Sequence, residues 1–293
     1  MEIAAPAKIN LSLDVLGKRE DGYHDLRMIM QTVELHDTVL LRETKSGISL
    51  ECSAGWAPRD ATNIAWKAAE LLLDKKGIKS GVAIKIIKRI PVAAGLAGGS
   101  TDAAAVLRGM NGLFSLGLEE DELRDLGKQI GADVPYCIRG GTRLAEGIGE
   151  KLTVLEDFTG VDIVLVKPNV GVSTAWVYQN LRLQEIRRDD RPDTRLLIQA
   201  IMKRDIKGVS HNMRNVLEKV AIPRYGIIRE AKDRLVELGA LGSMMSGSGP
   251  AVFGIFSDGG AAAAACDSLT KDGRWQCFCV KTSGAMKSIK GDA

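Results

Sequence analysis

The feature that most constrains the fold is a run of small residues that leads directly into a helical pattern. Residues 91–111 read PVAAGLAGGSTDAAAVLRGMN. Small residues leave the backbone uncovered before Ser100: Gly95, Ala97, Gly98 and Gly99. Apolar residues then recur at helical spacing: Ala103, Val106, Leu107 and Met110. A bare loop that opens a helix directs unpaired N–H groups and the positive end of the helix dipole at one point, so the run predicts an anion-binding loop.

Two absences in the sequence narrow the type of loop. No Gly-Lys-Ser or Gly-Lys-Thr occurs, which excludes a Walker-type phosphate loop, and no Gly-x-Gly-x-x-Gly follows a strand, which argues against a dinucleotide fold. A flexible glycine turn that packs against a neighbouring strand is the structural alternative. If residues 91–101 bind phosphate, the loop is of neither the Walker type nor the dinucleotide-binding type.

Composition and charge exclude several classes of protein. At 293 residues and 45% hydrophobic composition, the chain can bury a core without a metal or a disulfide. The 40 Lys and Arg residues oppose 37 Asp and Glu residues, and the formal charge of +3 argues against a nucleic-acid or membrane-surface partner. The five cysteines are scattered without a Cys-x-x-Cys pair, which is typical of reduced thiols. Because no secretory pattern or bilayer-length apolar run occurs, we expect a cytoplasmic protein without membrane contact.

The order of the predicted elements indicates a mixed α and β protein in two parts. Residues 82–88 alternate as a strand, and a helix is expected between Asn63 and Gly77. The other predicted elements are a helix from 119, a strand from 161, helices at 193–207 and 224–238, a strand at 250–256, an alanine-rich helix and a strand at 275–280. We place a domain boundary near Gly160, which gives an N-terminal domain at 1–160 and a C-terminal domain at 161–293.

Three motifs distributed along the chain indicate a family. They are PAKINL at 6–11, PVAAGLAGGST at 91–101 and SGSGP at 246–250, and in this order they resemble the three motifs of the GHMP kinases. The resemblance implies a two-domain α+β fold, with a ribosomal-S5-domain-2-like N-terminal half and a ferredoxin-like C-terminal half. It also implies an ATP-dependent kinase of small molecules, with ATP in a cleft and the acceptor between the domains.

Two further motifs resemble one branch of these kinases. DGYH at 21–24 and GADVP at 131–135 are similar to the branch whose acceptor is a methylerythritol that carries a cytidine diphosphate. This resemblance implies phosphorylation of the acceptor's 2-hydroxyl in the non-mevalonate isoprenoid pathway. Two alternatives stay open at this point: a GHMP kinase for homoserine or mevalonate, and a GHMP-fold metabolite sensor without catalysis. The sequence indicates no oligomeric state.

By the same resemblance, the catalytic residues are Lys8 and Asp133. Asp133 would accept the proton of the alcohol, and Lys8 would form an ion pair with it and stabilise the incipient alkoxide. We expect an extended backbone at Asp133, because Pro135 follows closely. The structural alternatives are a turn-forming aspartate and a lysine whose ammonium reaches solvent from a strand edge.

The predicted ATP-binding residues lie in the first half of the chain. Asn63 and Lys88 resemble family positions near the adenosine, whereas a helix N-cap and a solvated strand residue are their structural alternatives. The triphosphate would be wrapped by the whole loop: Pro91, Val92, Ala93, Ala94, Gly95, Leu96, Ala97, Gly98, Gly99, Ser100 and Thr101. Ser100 can offer a hydroxyl oxygen to the Mg²⁺ expected with ATP. Some bacterial members carry more glycine in this loop, and the alanines at 93, 94 and 97 should be tolerated unless φ there is positive.

The predicted substrate-binding residues come from both halves. Asn10 shares a strand face with Lys8, because side chains alternate along a strand. By resemblance, Tyr23 and His24 belong to the cytidine pocket, and Tyr178 is expected as the second aromatic wall. The remaining predicted contacts are Thr174 and a turn expected to close over the substrate's phosphates: Ser246, Gly247, Ser248 and Gly249. Their structural alternatives are ordinary surface rings and a Gly-Ser turn before a strand.

Overall fold

The chain folds around two β-sheets, and helices pack against both of them. A computed structural model describes residues 1–55 and 57–287. Within these ranges, the first sheet has seven strands and the second has four. Within the described residues, no helix combines the length and the apolar character needed to cross a lipid bilayer.

The strands contribute to the two sheets in a mixed order. In chain order they are β1 (Glu2–Lys18), β2 (His24–Thr44), β3 (Ile48–Cys52), β4 (Gly81–Ile87), β5 (Thr142–Gly147), β6 (Lys151–Val154), β7 (Asp162–Pro168), β8 (Arg214–Asn215), β9 (Gly242–Met245), β10 (Val252–Ile255) and β11 (Trp275–Lys281). The first sheet has the order β3-β4-β2-β1-β8, and β5 joins it by pairing with β2 and β6. The second sheet has the order β11-β7-β10-β9 and is antiparallel throughout.

The helices lie between these strands along the chain. They are α1 (Ile64–Lys76), α2 (Gly98–Leu113), α3 (Glu120–Lys128), α4 (Val134–Arg139), α5 (Thr174–Gln179), α6 (Thr194–Met202), α7 (Ile206–Asn212), α8 (Glu218–Arg224), α9 (Gly226–Glu237) and α10 (Gly259–Asp272). Short 3₁₀ turns occur at Leu183–Glu185 and Arg188–Asp190. The fold is therefore α+β with two sheets, as expected.

A long antiparallel hairpin of β1 and β2 frames the first sheet. β2 pairs with β5 through residues 26–31 and with β4 through residues 38–44, so its two ends have different neighbours. Register shifts in β1 occur between Pro6 and Lys8 and between Asn10 and Ser12. Bulges of this kind re-aim side chains and are common near active sites. The segment between the two shifts carries Lys8 and Asn10.

One apolar cluster joins the two sheets. Ala7, Ile9 and Leu11 of β1 are buried in it together with Ile163 and Leu165 of β7. The alternate β7 residues belong to a second cluster that includes residues of α9 and α10. β7 is therefore buried on both faces, which explains its nearly continuous apolar sequence. Because side chains alternate along β1, the strand that holds the sheets together also presents Lys8 and Asn10 on its other face.

Most of the predicted elements are present with their predicted inward faces. α1 begins after Asn63 and ends at Gly77, which is left-handed with φ 63°. Its predicted inward residues are all buried: Ala65, Ala68, Ala69 and Leu72. In β4 the alternating apolar residues of the predicted strand are buried in the same way: Val82, Ile84 and Ile86.

The helix predicted over residues 193–207 is wrong as a single element. α6 ends at Met202 and α7 begins at Ile206, with Arg204 between them at φ 51°. The Asp205 side chain accepts a hydrogen bond from the Gly208 N–H and caps the second helix. The apolar spacing continues across this break, so periodicity alone did not reveal it. Short elements such as α4, α5 and β8 were likewise not predicted.

The domain boundary predicted near residue 160 lies between β6 and β7, where the chain passes from the first sheet to the second. β8 belongs to the C-terminal half but returns to the first sheet and pairs in parallel with β1. In this pairing, Arg214 lies opposite Ser12 and Asn215 lies opposite Leu13. The division into 1–160 and 161–293 stays a prediction, and the two parts share this strand pair.

The loop before α2 contains alanines in a strained conformation. Ala93 and Ala97 have φ angles of 48° and 60°. The alanines were expected to be tolerated unless φ is positive, and φ is positive at these two positions. In the left-handed region the Cβ atom approaches the following carbonyl oxygen, at a cost of roughly 1–2 kcal/mol per residue. The surrounding contacts therefore hold the loop in a shape that glycine would adopt without this cost.

We predict that Ala97→Gly raises the free energy of unfolding by about 0.5–1 kcal/mol, because removal of the strain outweighs the extra flexibility of the unfolded chain. Denaturant titration of both proteins measures the difference. The matched control is Ala264→Gly, at an exposed position inside α10, which should lower the free energy of unfolding by about 1 kcal/mol. A loss of stability in Ala97→Gly similar to that of the control would contradict the assigned strain.

Candidate active site

A single cavity of about 1180 Å³ collects residues from both halves of the chain. Its volume exceeds the roughly 300–1000 Å³ typical of a single ligand pocket, which leaves room for two substrates. Most of the predicted site residues line it: Lys8, Asn10, Tyr23, His24, Asn63, Lys88, 91–100, Asp133, Thr174, Tyr178, Gly247 and Ser248. Thr101, Ser246 and Gly249 are not among its lining residues.

The three motif segments meet at the carbonyl oxygen of Gly95. This oxygen accepts hydrogen bonds from the Lys8 Nζ at 2.9 Å and from the Ser246 Oγ at 3.0 Å. Gly95 has φ +78°, and a Cβ atom built on it would lie 2.0 Å from the Ser246 carbonyl oxygen. Two backbone bonds add to the contact, from the Lys8 N–H to Leu96 and from the Ala251 N–H to Ala94. Glycine is therefore required at position 95.

Lys8 and Asn10 form a directly bonded pair on one face of β1. The Lys8 Nζ donates to the Asn10 Oδ1 at 2.7 Å, which confirms that the two residues share a face. The Asn10 Nδ2 lies 3.2 Å from the Met28 sulfur. Lys8 is 4% exposed and Asn10 is fully buried, so the ammonium is held by acceptors and does not reach bulk solvent.

Asp133 has a different local structure from the one expected. Its backbone is helical, with φ −84° and ψ −14°, and it is the N-cap of α4. The expectation of an extended backbone is wrong, because Pro135 is accommodated in the first turn of α4, where its missing N–H costs little. The helix start places a half-buried carboxylate in the cavity wall.

The predicted ion pair between Lys8 and Asp133 is absent from the part of the chain that the structure describes, because the Lys8 ammonium is taken up by Asn10 and Gly95. The two charges nevertheless act on the same neighbour, the buried thiol of Cys137. Burial raises the pKa of Cys137, the Asp133 charge adds to this shift, and the Lys8 charge opposes it. Asp133 therefore lies near Lys8 without touching it, and a substrate hydroxyl can occupy the space they share.

The loop leads directly into an uncapped helix start, which is the geometry that an anion-binding loop requires. α2 begins at Gly98, and the left-handed Ala97 precedes it without a side-chain cap. The first N–H groups of the helix are thus left for a ligand. Ser100 lines the cavity, whereas Thr101 is 1% exposed and donates its N–H to the Ala97 carbonyl oxygen. The Thr101 side chain consequently has no surface in the cavity.

Lys88 lies in a buried charge cluster, which we call the charge clasp and define as Asp37, Lys88 and Asp102. The Lys88 ammonium bonds to Asp37 and, at 2.6 Å, to the Asp102 Oδ2. Asp37 also accepts the backbone N–H groups of Arg89, at 2.5 Å, and Ile90, at 2.8 Å. The alternative of a solvated strand lysine is therefore wrong. The clasp ties β2 to both ends of the loop at 91–101.

The charges of the clasp are perturbed by burial and by one another. Burial lowers the pKa of Lys88, but the charges of Asp102 and Asp37 outweigh it and raise the pKa overall. Burial raises the pKa of Asp102 to about 7, the Lys88 charge opposes this shift, and the Asp37 charge adds to it. Sequence analysis missed both aspartates. The available signal was an aspartate directly after Ser100 and Thr101 in the first helical turn.

Asn63 is the N-cap of α1. Its Oδ1 accepts the Ala65 N–H at 2.9 Å, and its Nδ2 donates to the Pro58 carbonyl oxygen at 2.8 Å. The residue also lines the cavity, so the structural role and the predicted contact with adenosine do not exclude each other. The adenosine contact stays a prediction.

The aromatic residues form a platform at another part of the cavity. The rings of His24 and Tyr178 lie 5.1 Å apart between centroids, with an interplanar angle of 34°. A base sandwiched between two rings needs about 7 Å, twice the roughly 3.5 Å carbon contact, so no base fits between these two. Tyr23 is 58% exposed and can cover a base from another side. Burial, and then the Lys18 charge, lowers the pKa of His24, so its ring is neutral at pH 7.

The C-terminal half completes the wall near this platform. The Thr174 Oγ1 and the Ser248 Oγ share a hydrogen bond of 2.7 Å, which links the start of α5 to the turn at 246–249. Asn215, which the sequence analysis did not single out, donates from its Nδ2 to the carbonyl oxygens of Met245 and Gly247. The turn is therefore held in place by β8 and α5.

The described residues contain no cluster of three or more His, Cys, Asp or Glu side chains that could hold a metal ion. Beside the start of α2, Ser100 and Asp102 line the cavity and carry side-chain oxygens of the kind that bind a metal ion. The Lys88 ammonium lies 2.6 Å from one oxygen of Asp102, which disfavours a second cation there. A Mg²⁺ ion at this position fits best if phosphate oxygens and water supply most of its ligands.

Sequence comparison decides the family. The profile of the GHMP kinases N terminal domain matches residues 63–141, and that of the GHMP kinases C terminal domain matches residues 197–274. The chain is a GHMP kinase. Both matched regions contribute to the fold around the cavity. The first contains the loop at 91–101 and Asp133, and the second contains Asn215 and the turn at 246–249.

Individual relatives narrow the comparison for this GHMP kinase. The 4-diphosphocytidyl-2-C-methyl-D-erythritol kinase of Acetivibrio thermocellus is 60% identical over 282 residues, which are 96% of this chain and 99% of that protein. The crystal structure of a 4-(cytidine 5'-diphospho)-2C-methyl-D-erythritol kinase matches with a TM-score of 0.84 at 33% identity, covering 97% of this chain and 100% of that one. Homoserine kinase from Cytophaga hutchinsonii matches with a TM-score of 0.78 at 20% identity, covering 98% and 96%, and shares the fold.

We predict that Gly95→Ala lowers turnover at least tenfold and the free energy of unfolding by more than about 2 kcal/mol, because the added Cβ forces the loop away from the Ser246 carbonyl oxygen. Kinase assays and denaturant titration measure the two effects. The control is Gly226→Ala, where a Cβ meets nothing within 4 Å and the change in stability should stay within about 0.5 kcal/mol. Full activity in Gly95→Ala would show that the close approach is dispensable.

Proposed function

We propose that this GHMP kinase transfers the γ-phosphoryl group of ATP to the 2-hydroxyl of 4-diphosphocytidyl-2-C-methyl-D-erythritol, a step of the non-mevalonate isoprenoid pathway in the cytoplasm. The observation that carries the proposal is the joint lining of one cavity by an open helix start, a carboxylate near a lysine, and an aromatic platform. These three parts suit a triphosphate, an alcohol and a pyrimidine, respectively. Relatives of high sequence identity that are named as kinases of this alcohol support the choice of substrate.

The ATP triphosphate would lie against the loop at 91–100 and the first N–H groups of α2. The helix dipole and unpaired amides favour negative charge there, and no side chain caps the helix start. Asn63 and Lys88 line the same cavity and are proposed to lie near the adenosine and the phosphates. When bound with ATP, Mg²⁺ would neutralise phosphate charge, and Ser100 is the residue placed to contribute an oxygen ligand.

The chemistry requires an alcohol in line with the phosphoryl group and an acceptor for its proton. Asp133 is the carboxylate proposed to take this proton, since it lines the cavity and its side chain makes no capping bond to α4. Lys8 is proposed to stabilise the oxygen that develops charge. Its bonds to Asn10 and Gly95 fix the ammonium beside the loop that would hold the phosphates.

The cytidine would lie on the platform formed by His24 and Tyr178, with Tyr23 covering it. A neutral His24 can both donate and accept a hydrogen bond, which matches the mixed edge of a pyrimidine. Stacking of a base on such rings contributes on the order of 1–3 kcal/mol each. The Thr174 and Ser248 hydroxyls are proposed to bind the diphosphate, and the turn at 246–249 shapes that part of the site.

We predict ATP-dependent ADP release with 4-diphosphocytidyl-2-C-methyl-D-erythritol and none above background with homoserine or mevalonate. A coupled ADP assay across these three alcohols measures the preference. Release with homoserine or mevalonate in place of the cytidyl compound would reject the proposed substrate. ATP binding without turnover of any of the three would favour a metabolite sensor.

We predict that Asp133→Asn lowers turnover by about 10²–10⁴ while the affinity for ATP stays nearly unchanged, because the amide keeps the shape but cannot accept the proton. Steady-state kinetics and calorimetric ATP binding separate the two quantities. The control is Asp125→Asn, an exposed aspartate of α3 paired with Lys128, which should leave both unchanged. Equal turnover in Asp133→Asn and the unmodified enzyme would mean that no base is needed at this position.

A further inference from the structure

The segment at 180–191, which we call the strap, forms part of the cavity wall. It follows Tyr178 of the aromatic platform along the chain, and its residues Leu181, Leu183 and Gln184 line the cavity. Its regular structure consists of two short 3₁₀ turns, and in the described structure its backbone hydrogen bonds join only near neighbours along the chain. The position of the strap relative to the two sheets therefore depends on its side chains.

Apolar side chains and one ion pair attach the strap to the core. The apolar side chains are half-buried and pack against the larger apolar cluster: Leu181, Leu183 and Ile186. The turn Leu183–Glu185 lies against β1. Near the end of the strap, Asp190 forms an ion pair of 2.6 Å with Lys219 of α8. The strap thus has apolar contacts with β1 and a charged contact with the C-terminal half.

Arg191 ties the strap to β1 by polar bonds. Its Nη1 donates to the Asp14 Oδ1 at 2.6 Å and to the Val15 carbonyl oxygen at 3.1 Å. Asp14 is 7% exposed, so salt and water screen this pair weakly. Among the described residues, the other ion pairs of the strap lie within it or reach α8. The link to β1 is next to Leu13, which lines the cavity.

We propose that Arg191 is a positioning residue for the acceptor: its bonds to Asp14 and Val15 hold the strap against β1, where the strap completes the wall of the acceptor part of the cavity. The inference rests on the function proposed above. Tyr178 directly precedes the strap, whereas the parts proposed for ATP come from other elements. A pocket wall that is held in place before binding reduces the cost of ordering on binding. Loosening the strap should therefore weaken acceptor binding and spare ATP.

The same ion pair also compensates a buried charge, and this second role must be separated from the first. Burial raises the pKa of Asp14, and the Arg191 charge opposes this shift. Arg27, which lies opposite Asp14 in β2, acts on the carboxyl in the same direction. Removing Arg191 alone leaves a buried carboxylate without its partner, which weakens β1 whatever the strap does. Replacing both partners, as in Asp14→Asn/Arg191→Met, removes that charge without reattaching the strap.

Steady-state kinetics and calorimetry measure the effect on each substrate. In Arg191→Met, the KM for the cytidyl acceptor and the Kd for cytidine diphosphate should rise about tenfold, while kcat and the KM for ATP stay within about twofold. Asp14→Asn/Arg191→Met should show the same rise. Arg191→Lys should recover part of the affinity, since an ammonium can pair with Asp14 but lacks the planar fork of arginine.

Trypsin reports the position of the strap independently of activity. Arg187 and Arg188 are exposed cleavage sites within it. Pro192 blocks cleavage after Arg191, so substitution of Arg191 removes no site. Cleavage after Arg187 or Arg188 should be about tenfold faster in Arg191→Met, because local opening exposes the strap backbone. Cytidine diphosphate should slow this cleavage in the unmodified enzyme.

The matched control is Arg182→Met, which removes an ion pair of 3.1 Å with Glu185 that stays within the strap. It should leave the KM for the acceptor and the cleavage rate after Arg187 unchanged. An unchanged KM for the acceptor in Arg191→Met, or an equal rise in the KM for ATP, would overturn the inference. Restored affinity in Asp14→Asn/Arg191→Met would do the same, because the effect would then come from the buried charge.

Two further comparisons keep the inference separate from folding and from the proposed function. If Arg191→Met does not fold, Arg191→Lys and the double variant decide by the same measurements. Absence of cytidine diphosphate binding in the unmodified enzyme would reject the proposed substrate. Binding that the Arg191 variants leave unchanged would reject the inference alone.

Discussion

The carbonyl oxygen of Gly95 is the interaction on which the rest of the site depends. It accepts one hydrogen bond from Lys8 of β1 and one from Ser246 of the C-terminal half. Neither donor would reach it if position 95 carried a side chain, because the two backbones approach too closely. Lys8, the loop at 91–101 and the turn at 246–249 are consequently bonded to one another, although they are far apart in the sequence.

The charge clasp holds the loop from the other side. Asp37 fixes the backbone where β4 ends, and Lys88 carries that attachment to Asp102 in α2. With both ends fixed, the loop has little freedom to relax the left-handed conformations at Ala93 and Ala97. Strain of this kind persists only where the surroundings determine the backbone. The loop is thus shaped in advance for its ligand, and the folded core supplies the energy for it.

Local signals allowed much of this arrangement to be predicted. The small-residue run before α2, the cap at Asn63 and the alternation in β4 each depend on neighbours in the chain, and each was found. The helix cap at Asp133 was missed because an aspartate before Val-Pro also suits an extended turn. The clasp was missed for a different reason. Its members come from β2, the end of β4 and α2, and only the folded sheet brings Asp37 to Lys88 and Asp102.

The position of Lys8 shows the limit of reasoning from residue types. A carboxylate such as that of Asp133 is the simplest partner for a buried ammonium. In the structure, the Lys8 ammonium instead donates to the side-chain amide of Asn10 and the carbonyl oxygen of Gly95. The register shifts on either side of Lys8 and Asn10 decide where these side chains point, and no spacing rule reveals a bulge. The shared strand face of Lys8 and Asn10 could be predicted, whereas the hydrogen-bond partners of Lys8 required coordinates.

The parallel pairing of β8 with β1 has a consequence for how the chain can be divided. Arg214 and Asn215 cover the edge of β1 beside Ser12 and Leu13, and Asn215 also carries the turn at 246–249. A fragment that stops near residue 160 would leave that edge open to pairing with another copy of itself. The strand that covers this edge of the first sheet is synthesised more than 50 residues after the sheet's other strands. Until β8 has been made and has paired with β1, the edge stays open to aggregation.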